Sequence, residues 1–264
     1  MFYPDDYSIA DWNLSELKDG FFISLPIKTL QFKNSQLLGG KMYRFNTLGQ
    51  IVYAYALNTN IPLSDPGHNP ASLSLSGYTE EAHLVYDAAT HNIQNIYRSN
   101  GLVESYLWGY DNKLPIAQAV SSSEADFFYT SFEEEVSNTS TDAKTGFKSH
   151  SGSYTVILPS AGTYELSYWE KTSAEWELKR ATISANTSIG GSGKLVDEVR
   201  LYPIGAQMQS YTYDSPLGIT GQSDVNGQVS TYEYDSFGRL KLIRDSEGNI
   251  LQMNNYHYQN EGVQ

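Results

Sequence analysis

From residue 211 onward the sequence repeats itself, and that repeat constrains the fold more than any other feature. Tyr211-Thr-Tyr213-Asp214 recurs as Tyr232-Glu-Tyr234-Asp235, and Asp224-Val-Asn-Gly227 recurs as Asp245-Ser-Glu-Gly248, each shifted by 21 residues. A third Tyr-x-Tyr stands at Tyr256 and Tyr258. Alternation along a strand puts both rings of Tyr-x-Tyr on one face. The following Asp suits a turn start, because its carboxylate can accept from backbone N–H groups two residues on, and Gly supplies positive φ. Leu240-Lys-Leu-Ile-Arg244 alternates as the returning strand. One hairpin cannot bury its face alone, so such units must stack into a larger sheet.

Composition agrees and excludes several function classes. The chain holds 21 tyrosines in 264 residues, with 10 Phe and 4 Trp beside them, and Tyr favours strands. There is no cysteine, so disulfides, Cys-based zinc sites and Cys nucleophiles are impossible. The net charge of −13 repels phosphate backbones, and the densest basic stretch, Arg239, Lys241 and Arg244, is diluted by Asp235, Asp245 and Glu247. No nucleic-acid partner is expected. No apolar run approaches the length of a membrane helix, so no membrane insertion is expected. Residues 1–11 have neither a basic nor an apolar leader region, so no signal peptide is expected and the chain reads as a piece of a longer exported protein.

Residues 11–19 read as one short helix capped by Asp11 and ended by Gly20. Ile27–Phe32, Leu37–Phe45 and Gln50–Leu57 read as strands of a meander, and 58–77, rich in Asn, Ser, Pro and Gly, as a linker. Three further strands follow at 84–87, 93–97 and 102–108. A composition shift at 121–131 marks a boundary. Beyond it, Tyr154–Leu158, Thr163–Trp169, Trp176–Ile183 and Leu195–Tyr202 read as strands of a β-sandwich, with Pro159–Gly162 as a turn and Ile189–Gly193 as a glycine loop. The expected class is all-β, with hairpin sheets flanking a small sandwich. Its parts are an N-terminal segment (1–20), a β-meander (21–120), the sandwich (132–203) and terminal hairpins (211–264).

The run Tyr234-Asp235-Ser-Phe237-Gly238-Arg239-Leu240, followed by Asp245-Ser-Glu-Gly248-Asn249, resembles the YD-repeat (Rhs-type) family of bacterial proteins. Weaker traces occur at Tyr86-Asp87 with Asn100-Gly101, and at Phe45-Asn-Thr-Leu-Gly49-Gln50. Known members build β-sheet shells, and many are secreted or surface-exposed. A complete shell needs far more repeats than this chain holds. The middle block resembles a galactose-binding-like jelly roll, the fold of many carbohydrate-binding modules, on Ser131-Phe132-Glu133, Ala143–Ser149, Tyr164–Trp169 and Val196–Tyr202.

That second resemblance implies a structural calcium shared by Glu133 and Asp197, with carbonyls near Lys144–Lys148 completing an oxygen shell; the alternative is that Asp197 anchors a turn or pairs with a lysine. Tyr164, Tyr168, Trp169 and Trp176 are the candidates for stacking on a glycan. Tyr164 and Tyr168 share one strand face and Trp169 takes the other, and core packing is the ordinary role of such rings. The five histidines lack metal-protease spacing, and no nucleophile elbow or phosphate-binding loop is present. The expectation is therefore a non-catalytic scaffold or adhesion segment of an extracellular or cell-surface YD-repeat protein, with further repeats and glycans as partners. Runner-up readings are a functional carbohydrate-binding module, a fragment of a toxin-encapsulating shell, and an enzyme built on facing carboxylates.

Overall fold

A computed structural model of the chain describes residues 1–8, 11–64 and 71–256. The protein is all-β apart from short N-terminal helical turns, and it divides into two compact units, 1–103 and 104–264. In the first unit, α1 (Leu14–Asp19) precedes β1 (Lys28–Lys33), β2 (Gln36–Phe45), β3 (Ile51–Ser64), β4 (Thr79–Tyr86) and β5 (Ile93–Arg98), which pair antiparallel in chain order. The helix starts later than the capping pattern predicts. Asn13 takes the cap position, and its side-chain amide donates to the Phe45 carbonyl instead of capping the helix. Trp12 and Asn13 are both left-handed (φ 64° and 59°), which turns the buried Trp12 ring towards Tyr55, 6.1 Å away between centroids. Leu14, Leu17, Ile27, Met42 and Phe45 complete that core. Strand β3 continues to Ser64, so the Asn- and Pro-containing stretch read as a linker is in part a strand. Residues 65–70 of that linker lie outside the described residues, as does Tyr258 of the third Tyr-x-Tyr.

The second unit combines two sheets. One runs in the order β6 (Val103–Gly109), β7 (Leu114–Val120), β14 (Gln207–Asp214), β15 (Gly218–Ser223), β16 (Val229–Tyr234), β17 (Leu240–Arg244) and β18 (Ile250–Met253). The other is made by β8 (Phe128–Thr130), β9 (Thr139–Ser140), β10 (Ser149–Val156), β11 (Tyr164–Lys171), β12 (Trp176–Ile183) and β13 (Thr187–Pro203). It is ordered β12-β11-β13-β10-β9, with β8 also paired to β13. The glycine run expected as a loop lies inside β13, where the register against β10 jumps between Ser151 and Ser153. Gly190 is required there: a Cβ on it would come within 2.3 Å of the Gly152 carbonyl oxygen.

The hairpins of both units repeat one construction. In β2–β3, β4–β5, β16–β17 and β17–β18 the register shifts just before the last residue of the first strand, and in β6–β7 and β14–β15 just before its last residue but one. The extra residue lies on the returning strand, a bulge that sharpens the twist beside each turn. Four of the turns, those following Phe45, Ser223, Tyr234 and Arg244, are each held by one Asn or Asp. Oδ1 of Asn46, Asp224, Asp235 and Asp245 each accepts two backbone N–H bonds, from the residues two and four further on, at 2.8–3.0 Å. The Gly of each turn donates back to that same residue's carbonyl.

The tyrosine before the Asp closes the unit. Tyr86 Oη donates to the Ile51 carbonyl (2.8 Å), Tyr213 Oη to Pro115 (2.7 Å) and Tyr234 Oη to Ile219 (2.8 Å). Ile51 is the first residue of its returning strand and Pro115 and Ile219 the second of theirs, each opposite the last aromatic of the strand before it: Phe45, Trp108 and Tyr213. Each repeat is thereby tied to the repeat before it by its own tyrosine. Tyr256 reaches the Leu240 carbonyl in the same way (2.8 Å). Phe substitution of Tyr86, Tyr213 or Tyr234 removes only the hydroxyl, so each variant should lose about 1 kcal/mol of stability in urea unfolding. Gly238→Ala, at φ 74°, should lose a similar amount, on the order of 1 kcal/mol.

Candidate functional site

Strand β13 breaks its alternation at one point, and the sequence-predicted acid Asp197 sits there. Glu198 is left-handed (φ 53°), and the β11–β13 register shifts between Ser167 and Trp169, which face Arg200 and Asp197. Val196, Val199 and Leu201 turn into an aromatic and aliphatic core with Phe132, Val156, Tyr164 and Leu166. The bulge frees two consecutive acids, Asp197 and Glu198, to point the other way, and both are fully buried.

Asp197 and Glu133 both serve the loop around 144–148. Asp197 Oδ2 accepts from Lys144 N (2.7 Å) and Thr145 N (3.0 Å), and its Oδ1 from Glu198 N (2.7 Å). Glu133 Oε1 accepts from Phe147 N and Lys148 N, both at 2.8 Å. The structure thus brings the two predicted acids to one loop, as the calcium reading requires. The loop, however, turns N–H groups towards both of them, where a calcium shell needs oxygens. Among the described residues no group of three or more His, Cys, Asp or Glu is placed to hold a metal. These residues do not fit calcium; they fit a loop clamp.

Glu198, which sequence reasoning missed, has four hydroxyl donors. Oε1 accepts from Tyr129 (2.5 Å) and Thr145 (2.7 Å), and Oε2 from Ser210 (2.9 Å) and Ser223 (2.6 Å). These donors come from β8, the clamped loop, β14 and β15, so one carboxylate joins the two sheets of the second unit. Met208, Ala117, Ala119, Phe127, Tyr129 and Tyr202 pack beside it as the apolar part of that contact. The signal in the sequence was the Asp-Glu pair inside a strand: both can be buried on one side only if the strand bulges. Burial and the adjacent Glu198 push the Asp197 carboxyl well above the ordinary range, against the lowering effect of its three N–H donors. Burial also raises Glu133, and burial with the neighbouring Glu198 raises the Tyr129 hydroxyl.

The four predicted stacking rings do not share a platform. Tyr164 is buried in the core of the second sheet, and Tyr168 packs against that core. Trp169 and Trp176 take the opposite face, two register positions apart. Trp169 is buried under the Lys144 ammonium, 4.1 Å from the ring centroid, and Trp176 is half-buried beside Lys171. A separate cleft of about 580 Å³ opens in the same unit, lined by Tyr110, Glu133, Glu134, Phe147, Tyr213 and Pro216 among others. Tyr213 N donates to Tyr110 Oη (2.9 Å), with the two rings edge-to-face, and Phe147 is 52% exposed. Burial pushes the Tyr213 hydroxyl up to about 12. The cleft offers apolar ring surface beside carboxylate acceptors, a combination suited to a polyol.

Residues 213–250 match the family model described as RHS Repeat. No curated protein matches the chain. Among solved structures it is similar to TcdB2-TccC3 without its hypervariable C-terminal region, at 10% identity and a TM-score of 0.30 over 84% of this chain and 9% of that one. It is also similar to TcdB2-TccC3-Cdc42, at 9% identity and a TM-score of 0.23 over 84% of this chain and 12% of that one. A porin-like protein from Bacteroides uniformis ATCC 8492 aligns at 10% identity and a TM-score of 0.22, over 83% of this chain and 92% of that one. The chain spans about a tenth of the length of the first two, and TM-scores this low establish no shared fold.

The carboxyls of the second unit should separate by environment in a 13C NMR titration. Asp197 and Glu133 should titrate above the ordinary values. Asp235, with Arg239 N–H donors, and Asp245, with Asn249, should titrate below the ordinary aspartate value. The signs differ in consequence. The turn aspartates contribute stability above their unfolded pKa and lose it as pH falls through the lowered folded values. Asp197 contributes most below its unfolded pKa and loses that contribution as pH rises through its raised folded value. Glu198→Ala strands four buried hydroxyls and should cost at least about 3 kcal/mol in urea unfolding, with Glu198→Gln costing less because the amide keeps hydrogen-bonding capacity.

Proposed function

We propose that this chain, which carries an RHS repeat at 213–250, is a non-catalytic scaffold segment of a secreted or surface-exposed bacterial YD-repeat protein. The carrying observation is the tie between successive hairpins, in which each pre-turn tyrosine reaches a carbonyl at the first or second residue of the previous returning strand. A unit built this way gains a partner whenever another copy is added. Among the described residues β18 pairs with β17 alone, and its Ile250, Leu251 and Met253 are exposed. An exposed apolar edge of that kind invites another strand, which supports further repeats as partners. No helix among the described residues is long and apolar enough to cross a membrane.

Appending a second copy of residues 232–252 after Tyr256 tests the scaffold reading. The added hairpin should acquire hydrogen-exchange protection comparable to that of β16 and β17; an added hairpin that exchanges at the unfolded rate would overturn it. Turnover of glycosidic, ester or peptide substrates that disappears in Glu133→Gln would overturn the non-catalytic part.

Glycan contact is a second reading, supported by the exposed Phe147 beside Glu133 and Glu134 in the cleft. Aromatic rings take the apolar faces of sugars while carboxylates accept their hydroxyls. Affinity electrophoresis should show retention on a polysaccharide that Phe147→Ala removes and Trp169→Phe does not. Retention on none by the folded protein would eliminate it.

A further inference from the structure

On the face of β11 turned away from the aromatic core, Ser167 stands between two arginines. It pairs with Arg180 of β12 on one side and with Arg200 of β13 on the other. Residues paired directly across neighbouring strands project to the same face, so this row sets a guanidinium on either side of one hydroxyl. The next row, Thr182, Glu165 and Tyr202, lies alongside. A groove of about 360 Å³ opens here, lined by Glu165, Ser167, Arg180, Thr182 and Tyr202 among others.

The donors of this row are not used up by the protein. Ser167 is 4% exposed, and its Oγ has no protein partner. Arg200 is 2% exposed. Its Nη2 donates to the Met208 carbonyl, while Nε and Nη1 are buried without a protein partner. Arg180 is exposed on the groove and gives Nη2 to the Asn226 carbonyl. Both guanidiniums converge on the same turn: a Cβ on Gly227 would lie 3.1 Å from Arg200 Nη1 and 3.7 Å from Arg180 Nη2.

The nearby acids Glu198 and Asp224 offset part of the Arg200 charge, but their hydrogen bonds go to other groups. Glu198 is held by its four hydroxyls, and Asp224 Oδ1 by the backbone of Asn226 and Gln228. Glu165, the acid among the lining residues, is hydrogen-bonded to the Tyr202 hydroxyl. Two neighbouring cations repel each other, and a buried hydroxyl or guanidinium N–H left unpaired is costly. A negatively charged group with several acceptor oxygens relieves both.

We propose that this groove is an oxyanion site. The Ser167 hydroxyl and the Arg180 guanidinium donate to the oxygens of a carboxylate, sulfate or phosphate group, and Arg200 supplies a second positive charge from below. Charge-assisted bonds of this kind are among the stronger hydrogen bonds. The site lies on the opposite face of β11 from Tyr164 and Tyr168, and it stands independently of the scaffold reading.

The test is a two-dimensional NMR titration of the full chain with inorganic phosphate, sulfate and glucuronate at constant ionic strength, following the arginine Nε–H and the Ser167 backbone resonances. At least one anion should give saturable shifts at these positions. A preference for phosphate or sulfate assigns a tetrahedral group, and a preference for glucuronate assigns a sugar carboxylate. Ser167→Ala and Arg180→Gln should each weaken binding about tenfold, whereas Lys241→Gln, which removes the same charge as Arg180→Gln at an exposed position of β17, should leave it unchanged. Absence of saturable shifts with all three anions would overturn the proposal. So would binding that the Ser167 and Arg180 variants leave intact, or that Lys241→Gln weakens as much. Because Arg200→Met removes a buried group and can unfold the chain, the two groove variants carry the decision.

Discussion

A β-hairpin of ordinary length cannot bury its own apolar face, and the hairpins described here meet that constraint in one way. In four of the turns an Asn or Asp at the turn start accepts backbone N–H bonds from two and four residues on and fixes the turn. A bulge beside it twists the pair. The tyrosine that precedes the Asp then spends its hydroxyl on the hairpin before it, rather than on its own. Local geometry and long-range attachment are therefore set by two adjacent residues, Tyr and Asp, which explains why the pair recurs together. Each link is worth about 1 kcal/mol, so stability accumulates with the number of repeats rather than residing in any one of them.

The second unit needs a different solution, because its two sheets are not related by the repeat. The contact is organised by Glu198, whose left-handed backbone interrupts the alternation of β13 and directs a carboxylate into hydroxyls from both sheets. A backbone in that region costs energy for a side chain with a Cβ, and four hydrogen bonds to a charged acceptor offset it. The same bulge places Asp197 on the loop clamp. One residue's conformation thus decides both how the sheets meet and why the predicted calcium pair became an anchor for backbone amides.

Much of the fold was legible along the chain. The Asp-x-x-Gly turns depend on contacts between residues four apart, and Tyr-x-Tyr depends on alternation, so both can be read locally. The weak trace at Phe45–Gln50 has the same turn hydrogen bonds as the strong copies at Asp235 and Asp245. Reading failed where local signals were overruled. The Asn- and Pro-containing stretch after Leu57 continues as strand because β2 pairs with it up to Ser64. The glycine run at 189–193 is a bulged part of β13, since Gly190 admits the close approach of Gly152. Strand β7 was not separated from β6, although Asp111 and Asn112 stand between them and Tyr110, Asp111 and Asn112 are all left-handed in the turn.

The candidate site was legible only in part. Glu133 and Asp197 were named from the jelly-roll resemblance, but nothing local shows whether a carboxylate will face a cation or an amide. Tyr164 and Trp169 were named from their rings, and burial removed them from contact with solvent. What the sequence determined by itself was the all-β class, the hairpin turns and the repeat, because these follow from interactions within a few residues. The tertiary structure alone decided the burial of Glu198, the fate of the aromatics and the row of Arg180, Ser167 and Arg200. Each of those depends on which strands become neighbours, and pairing between positions dozens of residues apart leaves no local pattern to read.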